Sequence, residues 1–307
     1  MRRRLAPFGI GFTVDADDAR VLAALALALA RYPSRAGGRG ELQLSVRTGT
    51  DAAADPAWPH TTVTFDGEGL ELRCGSGRLS AWVGEARAEA VLPPSLLAIE
   101  DAVRMVVEGA FSALAINGGL LHAMHAGLVG HQRRGLVLRG ASGAGKSTLT
   151  YALLRAGSTV ASDDWTYAVP GDAQKGGGLR LWGYPWRLFL VPEAVARFPE
   201  LAGVAAVLHP GADRLKVPVV PPVSRRRRSL PVDAVVFLDP DPVLDLQPID
   251  VTEARQRFWD CALPTERTGL PEAWVEALLQ RPTYRLNRGR DPDAAARLLQ
   301  QAVATFP

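Results

Sequence analysis

A short glycine-rich stretch carries the residue types that proteins use to hold phosphate. Residues 140–149 read GASGAGKSTL and follow a short apolar run at 136–138. They match the phosphate-loop pattern, in which backbone N–H groups and a helix N-terminus bind an anion. Lys146 is then expected to reach the terminal phosphates of a nucleotide, and the Ser147 hydroxyl to bind Mg²⁺. The predicted nucleotide-binding residues are Gly140, Ala141, Ser142, Gly143, Ala144, Gly145, Lys146, Ser147 and Thr148.

The neighbouring sequence fits this pattern because a strand precedes the loop and a helix follows it. The helix is predicted over 146–156, which lacks proline and glycine, and Gly157 suits the left-handed position after its last turn. We therefore expect the chain to bind a nucleotide such as ATP with Mg²⁺, and the loop alone leaves the identity of the nucleotide open. The reaction stays open at this point, since the same loop occurs in ATPases, GTPases, small-molecule kinases and a few protein kinases.

Two adjacent carboxylates follow the next predicted strand. Asp163 and Asp164 come 17 and 18 residues after Lys146, at the end of a short strand predicted over 159–161. In a βαβ unit this strand returns beside the first one, so its carboxyl end is expected near the phosphate site. One carboxylate can then accept a proton from a hydroxyl while the other holds Mg²⁺. The alternative is a solvated turn or a helix N-cap, positions that Asp also favours.

Two histidines precede the strand that begins this part of the chain. His122 and His125 lie in the segment LLHAMHAGLV. A lone histidine is most often packed or exposed without a function, and we keep that interpretation for His122. His125 is expected at the strand entrance, where an imidazole can contact phosphate or the carboxylate pair.

Composition and charge exclude several classes of protein. The formal net charge is only +3 over 307 residues, whereas a dedicated nucleic-acid binder normally has a clustered basic excess. Cys74 and Cys261 are too few for a disulfide framework and lack metal-ligand spacing, which favours a reducing cytoplasm. The apolar run at 21–30 is shorter than the roughly 20 residues that a membrane span needs. We therefore expect neither nucleic acid nor membrane as a partner.

The first part of the chain predicts a small α+β lobe over residues 1–117. Its sequence suggests no chemistry. The predicted elements are a helix at 16–31, a strand at 41–48, a hairpin at 61–74 turning at 66–68, and a helix at 95–116.

From about residue 118 the pattern changes, and short apolar strands alternate with glycine loops and helices. This alternation predicts an α/β nucleotide-binding core over 118–307. The proline-rich segment 216–231 is predicted as an extended edge or loop, and 171–178 as an exposed turn. The predicted core strands are 126–129, 135–138, 159–161 and 235–238.

The order of these motifs resembles a known family. MHAGLV, GASGAGKST and GSTVASDD, in that order and at this spacing, are similar to the catalytic region of HPr kinase/phosphorylase and the HPr-kinase-related proteins. The strongest resemblance covers 122–169, and a weaker one covers 281–300, which forms a closing strand and helix in those kinases. The resemblance implies a P-loop core of the HPr kinase/PEP carboxykinase-like type with a smaller N-terminal α+β lobe. That lobe does not resemble the regulatory domain of HPr kinase.

The resemblance also implies roles for individual residues. Lys146 and the backbone of 140–145 would bind the nucleotide phosphates, and Ser147 would bind Mg²⁺. Asp163 would be the general base, Asp164 would assist the metal or the base, and His125 would line the phosphate site. The implied partner is a protein or peptide substrate carrying an acceptor serine, and a homo-oligomer is possible.

One departure from the family concerns the metal. HPr kinase carries a Leu-Glu-Ile-Arg-Gly motif whose Glu helps to hold the metal, whereas segment 179–190 of this chain has Arg180 at that position. Metal ligation by this segment and the reverse, phosphorolytic reaction are therefore left open. The same segment, at 182–187, is interpreted either as the wall of an acceptor groove or as core packing.

Three further features keep alternatives open. Lys216 and Arg214 could clamp a phosphate or line a solvated edge, and the arginine run 225–228 could be a solvated surface or one that binds an acidic peptide or a neighbouring subunit. The segment AVVFLDP at 234–240 has the form of a Walker-B element, so a phosphate-loop NTPase using Asp239 is the main alternative to a kinase. A nucleotide-sensing scaffold without catalysis is the third.

Overall fold

The computed structural model shows a mixed α/β protein with several sheets. It describes residues 1–29, 32, 38–50, 61–65, 69–171, 178–183, 187–208, 214–304 and 306. Its contacts divide the chain into two compact units, Met1–Leu121 with Leu208–Arg214, and His122–Val207 with Leu215–Pro307. The division at 117/118 expected from the sequence stays a prediction. No helix among the described residues is long and apolar enough to cross a membrane.

The first unit is built on a seven-stranded sheet with strand order β1-β2-β3-β7-β6-β5-β4. The predicted hairpin is confirmed by antiparallel pairing of β4 with β5, while its turn at 66–68 lies outside the described residues. Its elements are β1 (Arg2–Leu5), β2 (Gly11–Ala16), α1 (Ala19–Leu29), β3 (Glu41–Thr48), β4 (Thr61–Phe65), β5 (Gly69–Cys74), β6 (Gly77–Trp82), β7 (Arg87–Leu92), α2 (Pro94–Leu97) and α3 (Glu100–Asn117).

The single helix predicted over 95–116 is wrong in one respect, because the structure breaks it in two. Ile99 lies between α2 and α3 with extended backbone angles, φ −100° and ψ 93°. Pro94 begins the short α2, where its missing N–H costs no hydrogen bond. Glu100 then begins a second helix, since an acidic residue suits a first turn. The apolar spacing alone did not show this interruption.

The second unit contains the glycine loop, residues 140–145, and a six-stranded sheet. Its elements are β8 (His122–His125), β9 (Gly127–His131), β10 (Arg134–Arg139), α4 (Lys146–Arg155), β11 (Thr159–Ser162), β12 (Trp165–Ala168), β13 (Arg180–Trp182), β14 (Leu188–Leu190), α5 (Pro192–Val195), β15 (Val207–Leu208), β16 (Leu215–Val219), β17 (Ser229–Pro231), β18 (Ala234–Asp239), β19 (Leu244–Pro248), α6 (Val251–Asp260), α7 (Pro264–Gly269), α8 (Glu272–Leu279), β20 (Thr283–Arg288) and α9 (Pro292–Val303).

The strand order of the large sheet corrects one expectation. The order is β11-β9-β10-β18-β20-β19, so β9 separates β11 from β10, and the predicted return of β11 directly beside β10 is wrong. β9 pairs antiparallel with both neighbours, so β10 and β11 still run in the same direction. Their carboxyl ends, followed by the glycine loop and by Asp163, therefore lie at the same edge of the sheet.

Alternating side chains cover both faces of this sheet. Leu136 and Leu138 of β10 pack on one face with α4 and α9, whereas Val137 packs on the other with α6 and α8. Successive residues of a strand point to opposite faces, which explains the continuous apolar runs of β10 and β18. Each fully buried Leu or Val contributes roughly 1.5–3 kcal/mol relative to an exposed one. The two apolar layers on the faces of the sheet stabilise the strands whose ends carry the glycine loop.

A smaller sheet with order β17-β13-β12-β8 supports the residues beside this edge. β8 pairs antiparallel with β12, which places His125 opposite Trp165 and immediately beside Asp164. β14 pairs antiparallel with β16. The proline-rich segment thus contains two short strands, and the exposed turn predicted at 171–178 lies largely outside the described residues.

Candidate functional site

The glycine loop turns sharply between β10 and α4, and two of its glycines combine a positive φ with close neighbours that a Cβ would meet. Gly140 has φ 154° and Gly145 has φ 98°, which residues with a Cβ rarely adopt. A Cβ on Gly145 would lie 3.0 Å from Cδ of Arg288, and one on Gly140 would lie 2.9 Å from Cβ of Ala144. The first N–H groups of α4 face this loop without intrahelical acceptors, so the arrangement suits an anion.

Lys146 brings a cation to the loop. Its side chain is buried, and Nζ donates hydrogen bonds to the carbonyl oxygens of Gly140 at 2.7 Å and Ala141 at 3.2 Å. Burial lowers the pKa of Lys146, and the carboxylate of Asp164 acts in the opposite direction. The ammonium thus lies over the loop, where it can exchange two carbonyl oxygens for the oxygens of a phosphate.

Asp163 has the most strongly perturbed carboxyl group near the loop. Its side chain is buried, and the backbone N–H of Phe189 donates to Oδ2 at 3.3 Å. Burial, and to a smaller extent the charge of Asp164, raise the pKa of Asp163, while the Phe189 amide, a hydrogen bond from Ser147 and the ammonium of Lys216 oppose the shift, and the net pKa is about 7. A carboxyl group with this pKa can both accept and release a proton near neutrality.

Asp164 has different contacts from Asp163. Its Oδ1 lies 3.0 Å from Nε2 of His125, and its side chain is half exposed while that of His125 is largely buried. The hydroxyl of Ser162 stabilises the turn between β11 and β12. It accepts a hydrogen bond from the backbone N–H of Asp164 at 3.2 Å and donates one to the carbonyl oxygen of Trp165 at 2.6 Å. The structure thus brings both carboxylates, His125, Lys146 and Ser147 to one edge of the sheet.

Asp239 occupies a separate position. It lies at the end of β18, and its two carboxylate oxygens accept hydrogen bonds from Nη1 of Arg257 at 3.0 and 2.9 Å. Both side chains line an open cleft of about 470 Å³ together with the loop residues 140–144 and Cys261. Asp239 is therefore paired with an arginine on the wall of this loop cleft, whereas Asp163 shares a hydrogen bond with Ser147.

His122 matches the packed interpretation. It is buried, its ring lies 5.8 Å from that of Trp274 between centroids, and burial lowers its pKa. Only His125 of the two reaches the candidate site.

Sequence reasoning missed a buried ion pair directly beneath the loop. Arg139, the last residue of β10, and Glu266 of α7 have fully buried side chains, and Nη1 lies 2.5 Å from Oε1. A charge at the end of an otherwise apolar strand demands a buried counter-charge, and that is the signal that could have been used. The sequence alone did not show which acidic residue supplies it.

The remaining residues that the sequence singled out lie on or near the surface or bond to their own segment. Arg180 is exposed and donates to the Ser229 hydroxyl at 3.1 Å, and Lys216 is half-buried near Asp163. Arg226 and Arg227 of the arginine run donate to backbone carbonyl oxygens of their own segment. Residues 184–186 of the proposed acceptor groove lie outside the described part of the chain.

The donor set around Ser147 fits Mg²⁺ as it is used with nucleotides. Among the described residues, no group of three or more His, Cys, Asp and Glu side chains forms a metal cage. Mg²⁺ usually takes one or two carboxylates, waters and substrate phosphates instead of an all-protein cage. A serine hydroxyl with Asp163 and Asp164 at the same edge supplies oxygen donors of that kind.

Comparisons with known proteins give little further information. No family model matches the chain, and no curated protein matches it. One solved structure that is similar, described as the Hpr(Ser) kinase/phosphatase from Coxiella burnetii, is 14% identical and aligns over 60% of this chain and 92% of that chain. The TM-score is 0.32, which is too low for the likeness to support a conclusion. Function therefore rests on the residues of the site.

Proposed function

We propose that this chain is a phosphotransferase that moves the terminal phosphoryl group of ATP to a serine hydroxyl in a protein or peptide. Residues 118–307 would form its P-loop core, of the HPr kinase/PEP carboxykinase-like type. The observation that carries the proposal is the contact of Asp163 with Ser147. It joins a carboxyl group with a pKa of about 7 to the helix that follows the glycine loop.

Each residue then has a distinct task. Asp163 accepts the proton of the acceptor hydroxyl, and the resulting oxygen attacks the γ-phosphorus. The bond from that phosphorus to the β–γ bridging oxygen breaks, and ADP leaves with the electron pair. Lys146 and the loop N–H groups bind the phosphate oxygens where negative charge develops. The imidazole of His125 contacts the carboxylate of Asp164 and thereby fixes its position.

Mg²⁺ fits the oxygen donors of Ser147 and Asp164. When bound, it would neutralise phosphate charge. The carboxylate of Asp239 already forms an ion pair with Arg257. This pairing favours the kinase over an NTPase that uses Asp239 as its Walker-B residue. The relevant difference between the two functions is which acid lies beside Ser147.

The test is a phosphotransfer assay with γ-labelled ATP and a panel of serine peptides. The wild-type protein is expected to label a peptide on serine, and Asp163→Asn is expected to lose transfer by at least about 100-fold, the size typical of a general base, while still binding nucleotide. Asp239→Asn serves as the matched control and is expected to keep most of the activity.

The alternatives have their own outcomes in the same assay. Free phosphate without labelled peptide, abolished by Asp239→Asn and not by Asp163→Asn, would establish an NTPase. Nucleotide binding without any turnover would indicate the scaffold. Transfer that survives Asp163→Asn unchanged would overturn the proposed role of that carboxylate.

A further inference from the structure

The buried ion pair of Arg139 and Glu266 forms hydrogen bonds with the backbone of His125, the residue whose side chain contacts Asp164. Oε1 of Glu266 accepts the backbone N–H of His125 at 3.0 Å, and Nη1 of Arg139 donates to the carbonyl oxygen of His125 at 3.1 Å. Both main-chain polar groups of His125 are therefore held by one ion pair. The imidazole of the same residue contacts Asp164.

The same pair also holds the junction between α6 and α7. Nη2 of Arg139 donates to the carbonyl oxygen of Phe258 at 3.0 Å, and its guanidinium lies over the Phe258 ring, 4.1 Å from the centroid. Oε2 of Glu266 accepts the N–H of Leu263 at 2.8 Å. Arg139 and Glu266 thus connect the segment that includes Cys261, on the wall of the loop cleft, with His125.

A buried ion pair is poor evidence for a role in stability. Removing two charges from water costs about as much as their attraction returns, and well-packed apolar residues of similar volume often stabilise a protein as well or better. Packing alone therefore does not explain the pair. Apolar residues in these two positions could not form the hydrogen bonds that Arg139 and Glu266 make with the main chain of His125.

We propose that Arg139 and Glu266 are positioning residues that clamp the main chain of His125 and thereby orient the carboxylate of Asp164 beside Lys146. This inference rests on the proposed function for its catalytic consequence. Its structural content, the coupling of the ion pair to His125 and Asp164, can be measured without any turnover.

The first experiment replaces both partners together. Arg139→Met with Glu266→Leu removes the charges and keeps most of the volume, so the double variant is expected to remain folded. We expect kcat to fall by about 10-fold or more, the size seen when outer-shell partners of a site are removed, with little change in nucleotide affinity. A folded double variant with wild-type kcat would overturn the proposal.

The second experiment asks whether the pair acts through His125. Arg139→Lys, which keeps a positive charge, is compared in the wild-type and His125→Gln backgrounds. The clamp predicts a fall in kcat in the first and no further fall in the second, since the coupled contact is already absent. Equal fold-losses in the two backgrounds would show independent action and would contradict the proposal.

A spectroscopic readout separates this inference from the proposed function. Asp164→Asn is expected to shift the ring resonances of His125, and the Arg139/Glu266 double variant should shift them too. The ring of His131, whose Nδ1 lies 3.2 Å from the Ser158 hydroxyl, is the internal control and should not move. Absence of phosphotransfer in the wild type with these shifts intact would refute only the function, whereas unshifted His125 resonances in the folded double variant would refute the clamp.

Discussion

Asp163 is buried, and the charges and hydrogen-bond donors around it act on its carboxyl group in opposite directions. A buried carboxylate without compensation is costly, and here the Phe189 amide, the Ser147 hydroxyl and the Lys216 ammonium compensate only in part. The neighbouring carboxylate of Asp164 works against ionisation. The balance keeps the pKa of Asp163 near neutrality, the range in which a base is both available and strong enough to act.

Under the proposed function, this balance predicts how phosphotransfer should depend on pH. A general base must be unprotonated, so kcat/KM for phosphotransfer should rise as pH passes through about 7 and level off above it. The profile is measured from pH 5.5 to 9 at saturating Mg²⁺, roughly two units either side of the pKa of the free protein. Asp163→Asn should flatten this limb. A wild-type profile that is flat across neutrality would exclude Asp163 as the base.

Cys261 offers a chemical probe of the loop cleft. It is partly exposed on the cleft wall, whereas Cys74, the only other cysteine in the sequence, is fully buried in the first unit. A nucleotide that occupies the cleft at about ten times its Kd should slow alkylation of Cys261 by about tenfold, in proportion to occupancy. The rate is followed by intact mass with iodoacetamide.

The matched control for this labelling is Cys261→Ser, which should remain unlabelled under native conditions. If nucleotide binding is seen by calorimetry while the alkylation rate of Cys261 is unchanged, the nucleotide does not occupy this cleft. Protection by inorganic phosphate alone would indicate a site limited to the glycine loop.

At the level of elements, local pattern predicted the helix after the glycine loop and four of the strands around it. The loop-to-helix transition at Lys146 and the left-handed Gly157 follow from short-range rules of turn and helix chemistry, whereas only the family resemblance implies the closing β20 and α9. The insertion of β9 between β10 and β11 does not follow from these rules, because strand order depends on pairing between distant segments. Local apolar pattern contains no information about which neighbour a strand will take.

The same limit applies to the candidate site. The glycine loop and the Asp163–Asp164 pair are contiguous motifs and can be recognised in the sequence. Arg139 and Glu266 are separated by 127 positions. A charge at the end of an apolar strand calls for a buried counter-charge, but the sequence does not show which acidic residue supplies it. Likewise, the pairing of Asp239 with Arg257 depends on where α6 packs, which the Walker-B pattern does not specify.

The turn into α4 makes a specific prediction about glycine. Gly145→Ala should weaken nucleotide binding by about tenfold or more, because the methyl group would meet Arg288 in a backbone conformation that alanine already disfavours. Gly143→Ala is the matched control, since Gly143 has a similar φ of 85° and a Cβ added there would meet no atom within 4 Å. Affinity is measured by calorimetry with a nucleotide analogue.

The comparison of the two variants isolates the contact with Arg288 from the cost of positive φ. Equal losses in affinity for Gly143→Ala and Gly145→Ala would show that backbone conformation alone accounts for the effect. Wild-type affinity in Gly145→Ala would mean that the loop does not bind the nucleotide in this conformation.

At the scale of the whole molecule, the chain combines a mixed α/β architecture with a charge that is close to balanced. The formal net charge is +3, and the residues of the site described above all belong to the second unit. Among the described residues, the side chains of the candidate site lie at one edge of the six-stranded sheet. The stability of the folded chain is therefore coupled to the site through the few charged groups buried there.

Asp163 is the clearest case of that coupling. Its pKa is about 7 in the folded protein and near 3.8 when unfolded, so the folded state binds more protons between these values. The contribution of this group to stability is fully present below pH 3.8 and is lost as pH rises through about 7. The loss at high pH is on the order of 4 kcal/mol, at 1.36 kcal/mol for each unit of pKa difference.

Asp163→Asn removes this titration and should therefore stabilise the protein increasingly as pH rises. Between pH 5 and pH 8 the difference in the free energy of unfolding between variant and wild type should widen by roughly 3 kcal/mol in favour of the variant. Thermal unfolding of both proteins across this range measures it, with Asp239→Asn as the control for a carboxylate already paired with an arginine. A variant that loses activity without this pH-dependent gain in stability would show that Asp163 is ionised throughout, held by the charges around the glycine loop instead of poised to take a proton.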